Sequence, residues 1–298
     1  MTEDRPTITF LGEAMVELTS TSASTLDWTF AGDVLNAAAA CSAANRSADV
    51  RLLTGLGDDD LSDQLVERCR ELGVDATGSV RIADRALGLY WITHVDGERQ
   101  FRYWRAMSAC RAALESGRLV AATAGASHLA WSGITLAVAG DGCDRLLDAV
   151  ANARADGATI CFDVNLRVSL WPDERAARRS IGAAISHADL IIASSDDLAM
   201  LWPDARETFA GRAVAGGASE VVVSSGSGPV TCTTHSGTTT VRPEPAAVVD
   251  TAGAGDALWG TYLGQRLDGA DPGSALVTAA GTARRAVEHA GALGHLDA

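Results

Sequence analysis

Hydrophobic residues follow two alternating rhythms along this chain. Short apolar runs rich in β-branched residues occupy positions 7–11, 50–53, 127–131, 159–163, 189–193 and 220–224. Between them lie longer stretches in which apolar positions recur every three or four residues, at 36–45, 62–72, 141–156, 173–187, 206–216, 254–267 and 274–289. The runs suit strands buried on both faces, and the longer period suits amphipathic helices. Their alternation predicts an α/β fold with a mostly parallel sheet covered by helices on both faces. One segment departs from the pattern. Residues 87–95 and 99–105 are β-rich, polar-aromatic runs around Asp96-Gly97, a dipeptide that favours a tight hairpin. Such an insertion reads as a lid or dimer clasp in preference to an edge of the main sheet.

Composition narrows the chemistry. The 298 residues carry 38 acidic and 24 basic side chains, a formal net charge of −14. Every one of the 24 bases is Arg, and Lys is absent. A phosphate-binding loop built on Lys is thereby excluded, as are Schiff-base and pyridoxal phosphate chemistry. The charge balance argues against nucleic acid as a partner, because phosphate neutralisation supplies most of that affinity. The acidic start Met1-Thr2-Glu3-Asp4 is unlike a secretory leader, and no apolar run approaches the roughly 20 residues of a membrane span. A cytoplasmic protein without a membrane partner is expected. The cysteines at 41, 69, 110, 143, 161 and 232 form no CxxC pair, and the histidines have no zinc spacing. The cysteines read as small buried hydrophobes in a reducing compartment.

Four patterns carry candidate chemistry. Asp250-Thr251-Ala252-Gly253-Ala254-Gly255-Asp256 precedes an apolar helix. Small residues at Gly253, Ala254 and Gly255 let backbone N–H groups converge at a helix N-terminus, which attracts anions. Asp256, in the first turn, stands where a base would deprotonate a hydroxyl as a phosphoryl group arrives. The local alternative is a plain Gly-rich loop with a capping Asp. Gly32-Asp33-Val34-Leu35-Asn36 opens another helix, and Asp33 and Asn36, three apart, can face one pocket and suit sugar hydroxyls; simple capping is the alternative. Asp163-Val164-Asn165-Leu166-Arg167 follows a strand directly, the place where open α/β sheets bind ligands. Last, strand alternation puts Tyr103 and Arg105 on one face with Tyr90 on the partner run. Phenol and guanidinium together can hold a hydroxylated carboxylate; the alternatives are a surface aromatic pair with a cation–π partner here and a solvated loop at 163–167.

These motifs, in this order, resemble the ribokinase-like sugar kinases of the PfkB family, with residues 250–256 matching its DTxGAGD signature. Within that family, residues 12–18, 103–109 and 162–171 look like 2-keto-3-deoxygluconate kinases. The resemblance implies a single kinase domain over 1–298, a three-layer sandwich with a small β lid formed from about 13–31 and 86–106. It implies ATP-dependent phosphorylation of a sugar hydroxyl, most specifically 2-keto-3-deoxygluconate to its 6-phosphate. A fructokinase- or ribokinase-type kinase is the alternative, followed by a non-catalytic sugar sensor. Asp256 would be the base, and Gly253, Ala254 and Gly255 the anion hole. Gly32, Asp33, Asn36, Tyr90, Tyr103, Arg105, Asn165 and Arg167 would bind the substrate. ATP would lie over Ser194, Ser224, Gly226 and Gly228, with Mg²⁺ near Asp197 and a monovalent cation as an optional activator. The hairpin suggests a homodimer. Two departures stand out: Ala31 where many relatives have Gly, and Asp197 where they have Glu.

Overall fold

The apolar runs lie side by side. The computed structural model describes residues 5–22, 24–95 and 98–296, so Asp96-Gly97 falls outside the described residues. The strands, in chain order, are β1 (Thr7–Leu11), β2 (Met15–Ser20), β3 (Leu26–Ala31), β4 (Asp49–Leu53), β5 (Gly55–Leu56), β6 (Val80–Arg81) and β7 (Gly88–Val95). There follow β8 (Glu98–Trp104), β9 (His128–Ser132), β10 (Thr159–Asp163), β11 (Leu190–Ser194), β12 (Glu220–Ser224), β13 (Val230–Thr234) and β14 (Gly237–Val241). The helices are α1 (Asp33–Ala44), α2 (Asp60–Glu71), α3 (Ala109–Glu115), α4 (Arg118–Ala121), α5 (Gly133–Val138) and α6 (Cys143–Ala155). They continue with α7 (Glu174–Ser186), α8 (Ser195–Leu201), α9 (Phe209–Ala215), α10 (Ala254–Leu267) and α11 (Pro272–Ala286).

Eight strands form the main sheet in the order β14-β13-β12-β11-β10-β9-β1-β4. Pairings from β4 to β12 are parallel, and the β12–β13–β14 end is antiparallel. Each face carries its own hydrophobic core. One gathers Ile8 and Phe10 with α1, α2, α10 and α11. The other gathers Leu11, Trp131 and Phe162 with α3 to α9. The expected mostly parallel three-layer sandwich is therefore present. Among the described residues, no helix is long and apolar enough to cross a membrane.

The hairpin runs do not extend the main sheet. They pair with β2 in a separate four-stranded sheet of order β3-β2-β7-β8, with Tyr90 opposite Tyr103 and Glu17 opposite both Thr29 and Tyr90. Several expected boundaries shift. The first helix starts at Asp33 rather than 36, because Gly32, at φ +138°, ends the preceding extended segment and stands as the N-cap. The helix expected over 206–216 begins as a 3₁₀ turn, Pro203–Thr208, and is α-helical only from Phe209. The acidic run at Asp58–Asp60 is largely solvent-facing and ends in a cap: Asp59 accepts a hydrogen bond from the Ser62 amide at 2.8 Å and starts α2.

The packing that positions the site is between α1 and α10. From Ala257 to Gly264, α10 is buried throughout, with Trp259 edge-to-face on Phe10 at 5.4 Å. Two glycines let the helix backbones approach closely. A Cβ at Gly260 would stand 2.0 Å from the Ala37 carbonyl oxygen, and one at Gly264 would stand 2.8 Å from that of Cys41. Ala37–Ala40 on α1 are equally small and fully covered. Gly260→Ala should therefore destabilise the fold by about 1–3 kcal/mol through overpacking. In α7, Gly182 has nothing within 4 Å of an added Cβ, and Gly182→Ala should stabilise by about 0.5–1 kcal/mol from helix propensity alone. Urea-unfolding midpoints that move in opposite directions would confirm the close approach; a common gain would refute it.

Candidate active site

Strands β1, β9, β10, β11 and β12 all end along one edge of the main sheet, and the N-termini of α1 and α10 meet there. This is the edge at which open α/β sheets hold ligands. Because the two helices pack so closely, their first turns touch. Asn36 Nδ2 donates to Asp256 Oδ2 at 2.8 Å across 220 residues of chain. The Asn36 Oδ1 is buried and has no hydrogen-bond partner among the described residues.

Carboxylates crowd this point. Asp33 Oδ2 accepts from Ser132 Oγ at 2.5 Å and from Asn165 Nδ2 at 3.2 Å. Asn165 holds a backbone φ of +30°, which turns its side chain back to Asp33 immediately after β10. Burial, followed by the Asp33 charge, pushes the Asp256 carboxyl up to about 7; the Asn36 bond and Arg167 oppose the rise. Burial and the neighbouring Asp256, Asp197 and Asp33 hold Asp163 well above the ordinary carboxylate range. Asp33 and Asp197 are also raised, in each case chiefly by burial. Arg167 lowers all four. It is exposed and forms no ion pair among the described residues, so one guanidinium at the mouth faces four carboxyl groups.

The signature loop forms the other wall. Gly253 has φ +72° and caps α10, a left-handed conformation for which glycine is suited. A Cβ there would stand 2.6 Å from Ala292 Cβ. Asp250 ties this loop to the C-terminal segment, accepting from the Ala252 amide at 2.7 Å and the Gly291 amide at 3.0 Å. The Ala257 amide bonds the Gly253 carbonyl at 2.7 Å. The Gly255 and Asp256 amides have no acceptor among the described residues, as expected of the first turn of a helix. Asp256 is thus a base candidate set directly beside free N–H donors.

The small sheet faces the cluster with Tyr90, Tyr103 and Arg105. The Tyr90 and Tyr103 rings lie 5.7 Å apart. Tyr90 donates its hydroxyl to Glu17 Oε2, and burial with that partner pushes the phenol far up. Its O–H is therefore engaged within the sheet. Arg105 stands over Tyr103, its Cζ 5.8 Å from the ring centre, and is ion-paired with Glu13.

The structure brings Gly32, Asp33, Asn36, Asn165, Arg167, Asp256 and the Gly253–Gly255 loop together, with Asp197 at the edge of the cluster. Ser194 caps α8, accepting from the Asp197 amide at 3.0 Å, and pairs in register with Ser224 on the next strand. Gly226, at φ +54°, and Gly228, whose amide bonds the Ser225 carbonyl at 2.7 Å, shape the β12–β13 turn. Ser194 and Ser224 end adjacent strands, Gly226 and Gly228 lie in the turn that follows, and none of the four is hydrogen-bonded to Asp256 among the described residues. Sequence reasoning missed Glu13, Glu17, Ser108 and Ser132 as structural partners of the site. Ser132 gives no local signal, since only folding sets β9 beside α1. Glu13 does give one, a charge wedged between the buried strand at 7–11 and Ala14. Carboxyl ¹³C titration should give Asp256 a midpoint near 7, and Asn36→Leu should raise it, because the lost bond favours the ionised form. A midpoint near 4, the unperturbed value, would contradict the enclosure.

Comparison with known proteins follows the same lines. The pfkB family carbohydrate kinase model matches residues 6–297. A 2-dehydro-3-deoxygluconokinase of Dickeya dadantii is 31% identical, over 98% of this chain and 97% of its own length. Among solved structures, an E. coli protein described as a candidate Ribokinase II, in complex with ATP and Mg²⁺, superposes with a TM-score of 0.85 at 22% identity, over 98% of this chain and 96% of that one. The 2-dehydro-3-deoxygluconokinase of Thermotoga maritima superposes with a TM-score of 0.82 at 22% identity, over 97% and 94%. With its signature loop, its sheet order and a match over nearly its whole length, the chain belongs to the pfkB family of carbohydrate kinases.

Proposed function

We propose that the protein transfers the γ-phosphoryl group of ATP to the terminal hydroxyl of 2-keto-3-deoxygluconate, with Asp256 as the base. The observation that carries this reading is the placement of a carboxyl near pKa 7 beside helix amides that lack an acceptor. The Asp256 carboxylate takes the proton as the substrate oxygen forms its bond to phosphorus and the bond to the departing ADP oxygen breaks. The amides of the Gly253–Asp256 turn, those of Gly255 and Asp256 foremost because that of Ala254 points to the Thr251 carbonyl at 3.5 Å, hold the transferring group's negative charge without any lysine. Asp33 and Asn36 hold sugar hydroxyls, and the unpartnered Asn36 Oδ1 is an acceptor ready for one. With its own O–H given to Glu17, Tyr90 supports the substrate through its ring.

The sugar acid is supported by the Dickeya relative's name and by the unpaired Arg167 guanidinium at the mouth. ATP and Mg²⁺ are supported by the E. coli complex. Among the described residues, no group of three or more His, Cys, Asp or Glu is shaped to hold a metal ion. Mg²⁺ would therefore be held chiefly by phosphate oxygens and water, with Asp197 near it, and would neutralise phosphate charge. The small sheet serves as a lid over the substrate. Its opposite face exposes Leu26, Trp28 and Trp104, which a second copy of the chain would bury.

Asp256→Asn should lower kcat by about a thousandfold while circular dichroism stays native; retained turnover would remove the base assignment. Because the base must be ionised, kcat/KM should rise with pH and level off above about 7. Assayed well above pH 7, where Asp256 stays ionised without Arg167's help, Arg167→Ala should raise KM for 2-keto-3-deoxygluconate by about tenfold or more and change KM for fructose far less. Equal losses on both sugars would remove the acid-recognition role.

A further inference from the structure

The chain crosses between the main sheet and the small sheet at four places, and all four meet at Glu13. The first crossing, between β1 and β2, contains Glu13 itself. The second, from β3 into α1, passes Gly32, where a Cβ would stand 2.5 Å from the Glu13 carbonyl oxygen. The third enters β7 at Gly88, where a Cβ would stand 2.8 Å from Glu13 Oε1. The fourth leaves β8 through Arg105 and reaches Ser108, the N-cap of α3. Arg105 Nε donates to Glu13 Oε2 at 2.8 Å, and its Nη2 reaches the same oxygen at 2.5 Å. Ser108 donates its hydroxyl to Oε1 and accepts from the Arg111 amide at 3.2 Å. The Glu13 side chain is 0% exposed and that of Arg105 13%.

A buried carboxylate with every partner supplied is costly to bury and costly to disturb. It adds nothing to either hydrophobic core. What it holds is direction. Nε and Nη2 of Arg105 are both committed to Glu13, which leaves Nη1 as the free corner of a guanidinium fixed over Tyr103. A flexible side chain pinned by two donors loses its rotamer freedom before substrate arrives. We propose that Glu13 is a positioning residue: it locks the four crossings of the small sheet and aims Arg105 at the carboxylate end of the substrate. This rests on the reading of the substrate as a sugar acid.

The test is steady-state kinetics of the full chain with 2-keto-3-deoxygluconate and ATP. Glu13→Gln keeps the volume but sets an amide N–H₂ against Arg105 or Ser108. It should raise KM for the sugar acid by about tenfold or more, with kcat within about threefold and KM for ATP unchanged. The double variant Glu13→Gln/Arg105→Gln removes both charges together. It should recover the thermal midpoint lost in the single variant, while KM stays high. An unchanged KM in Glu13→Gln would overturn the proposal, as would recovery of the wild-type KM in the double variant, since either shows Glu13 to be a structural counter-charge alone. If Glu13→Gln does not fold, Glu13→Asp, which keeps the charge and draws it back from Arg105, decides by the same KM-against-kcat split: an unchanged KM overturns the proposal. If the wild-type chain turns over a neutral sugar and not the acid, the substrate reading fails first, and the same KM-against-kcat split is then read on that sugar for the locking role.

Discussion

The hydrogen bond between Asn36 and Asp256 joins the first turns of two helices that are 220 residues apart in sequence. It exists only because α1 and α10 approach to the limit that Gly260, Gly264 and the alanines of α1 allow. A larger side chain at these positions would push α10 outward and separate Asp256 from its hydrogen-bond partner. The free amides of the Gly253 loop would shift with it, because the same helix carries them. Helix packing and the geometry of the candidate site are thus one constraint here. Asp250 secures the far end of the loop by bonding both the Ala252 and Gly291 amides.

Electrostatics complete the site in an unusual direction. A lysine-free chain of net charge −14 has to bind anions, and its cleft places four carboxyl groups around one point. Burial raises the pKa of all four, and neighbouring carboxylates add to the rise at Asp163 and Asp256; Asp256, at about 7, carries only part of its charge near neutral pH. The positive field is confined to helix amides and to two arginines with different duties. Arg167 is open and faces all four carboxyls, whereas Arg105 is already neutralised by Glu13. Charge is concentrated locally where the whole molecule repels at long range.

Much of this was legible in the sequence, for physical reasons. The parallel strands and long helices showed because each buries a face along a local period. The Asp250–Asp256 loop showed because a helix N-terminus built of small residues is a contiguous device. Of the small sheet, the hairpin half is legible from the residues themselves, and the half within 13–31 only through the family resemblance. Leu26, Trp28 and Phe30 do alternate, but three hydrophobes in six residues are too few to separate a short strand from a loop, and the Ser/Thr-rich stretch before them obscures the pairing with β2. Glu13, Ser108 and Ser132 take their meaning from partners about 95 to 99 residues away in the chain, which no local pattern can announce. Arg105 is legible as a candidate from strand alternation, whereas its pairing with Glu13 is visible only in the fold.

The central claim is that this cleft delivers a phosphoryl group to the terminal hydroxyl of a sugar acid. It is tested most directly by identifying the product. The purified chain would be incubated with ATP, Mg²⁺ and 2-keto-3-deoxygluconate and followed by ³¹P NMR with proton coupling. The account predicts stoichiometric ADP and a new phosphomonoester signal split by the two protons of a primary carbon. ADP with inorganic phosphate alone, or an ester on a secondary carbon, would contradict it.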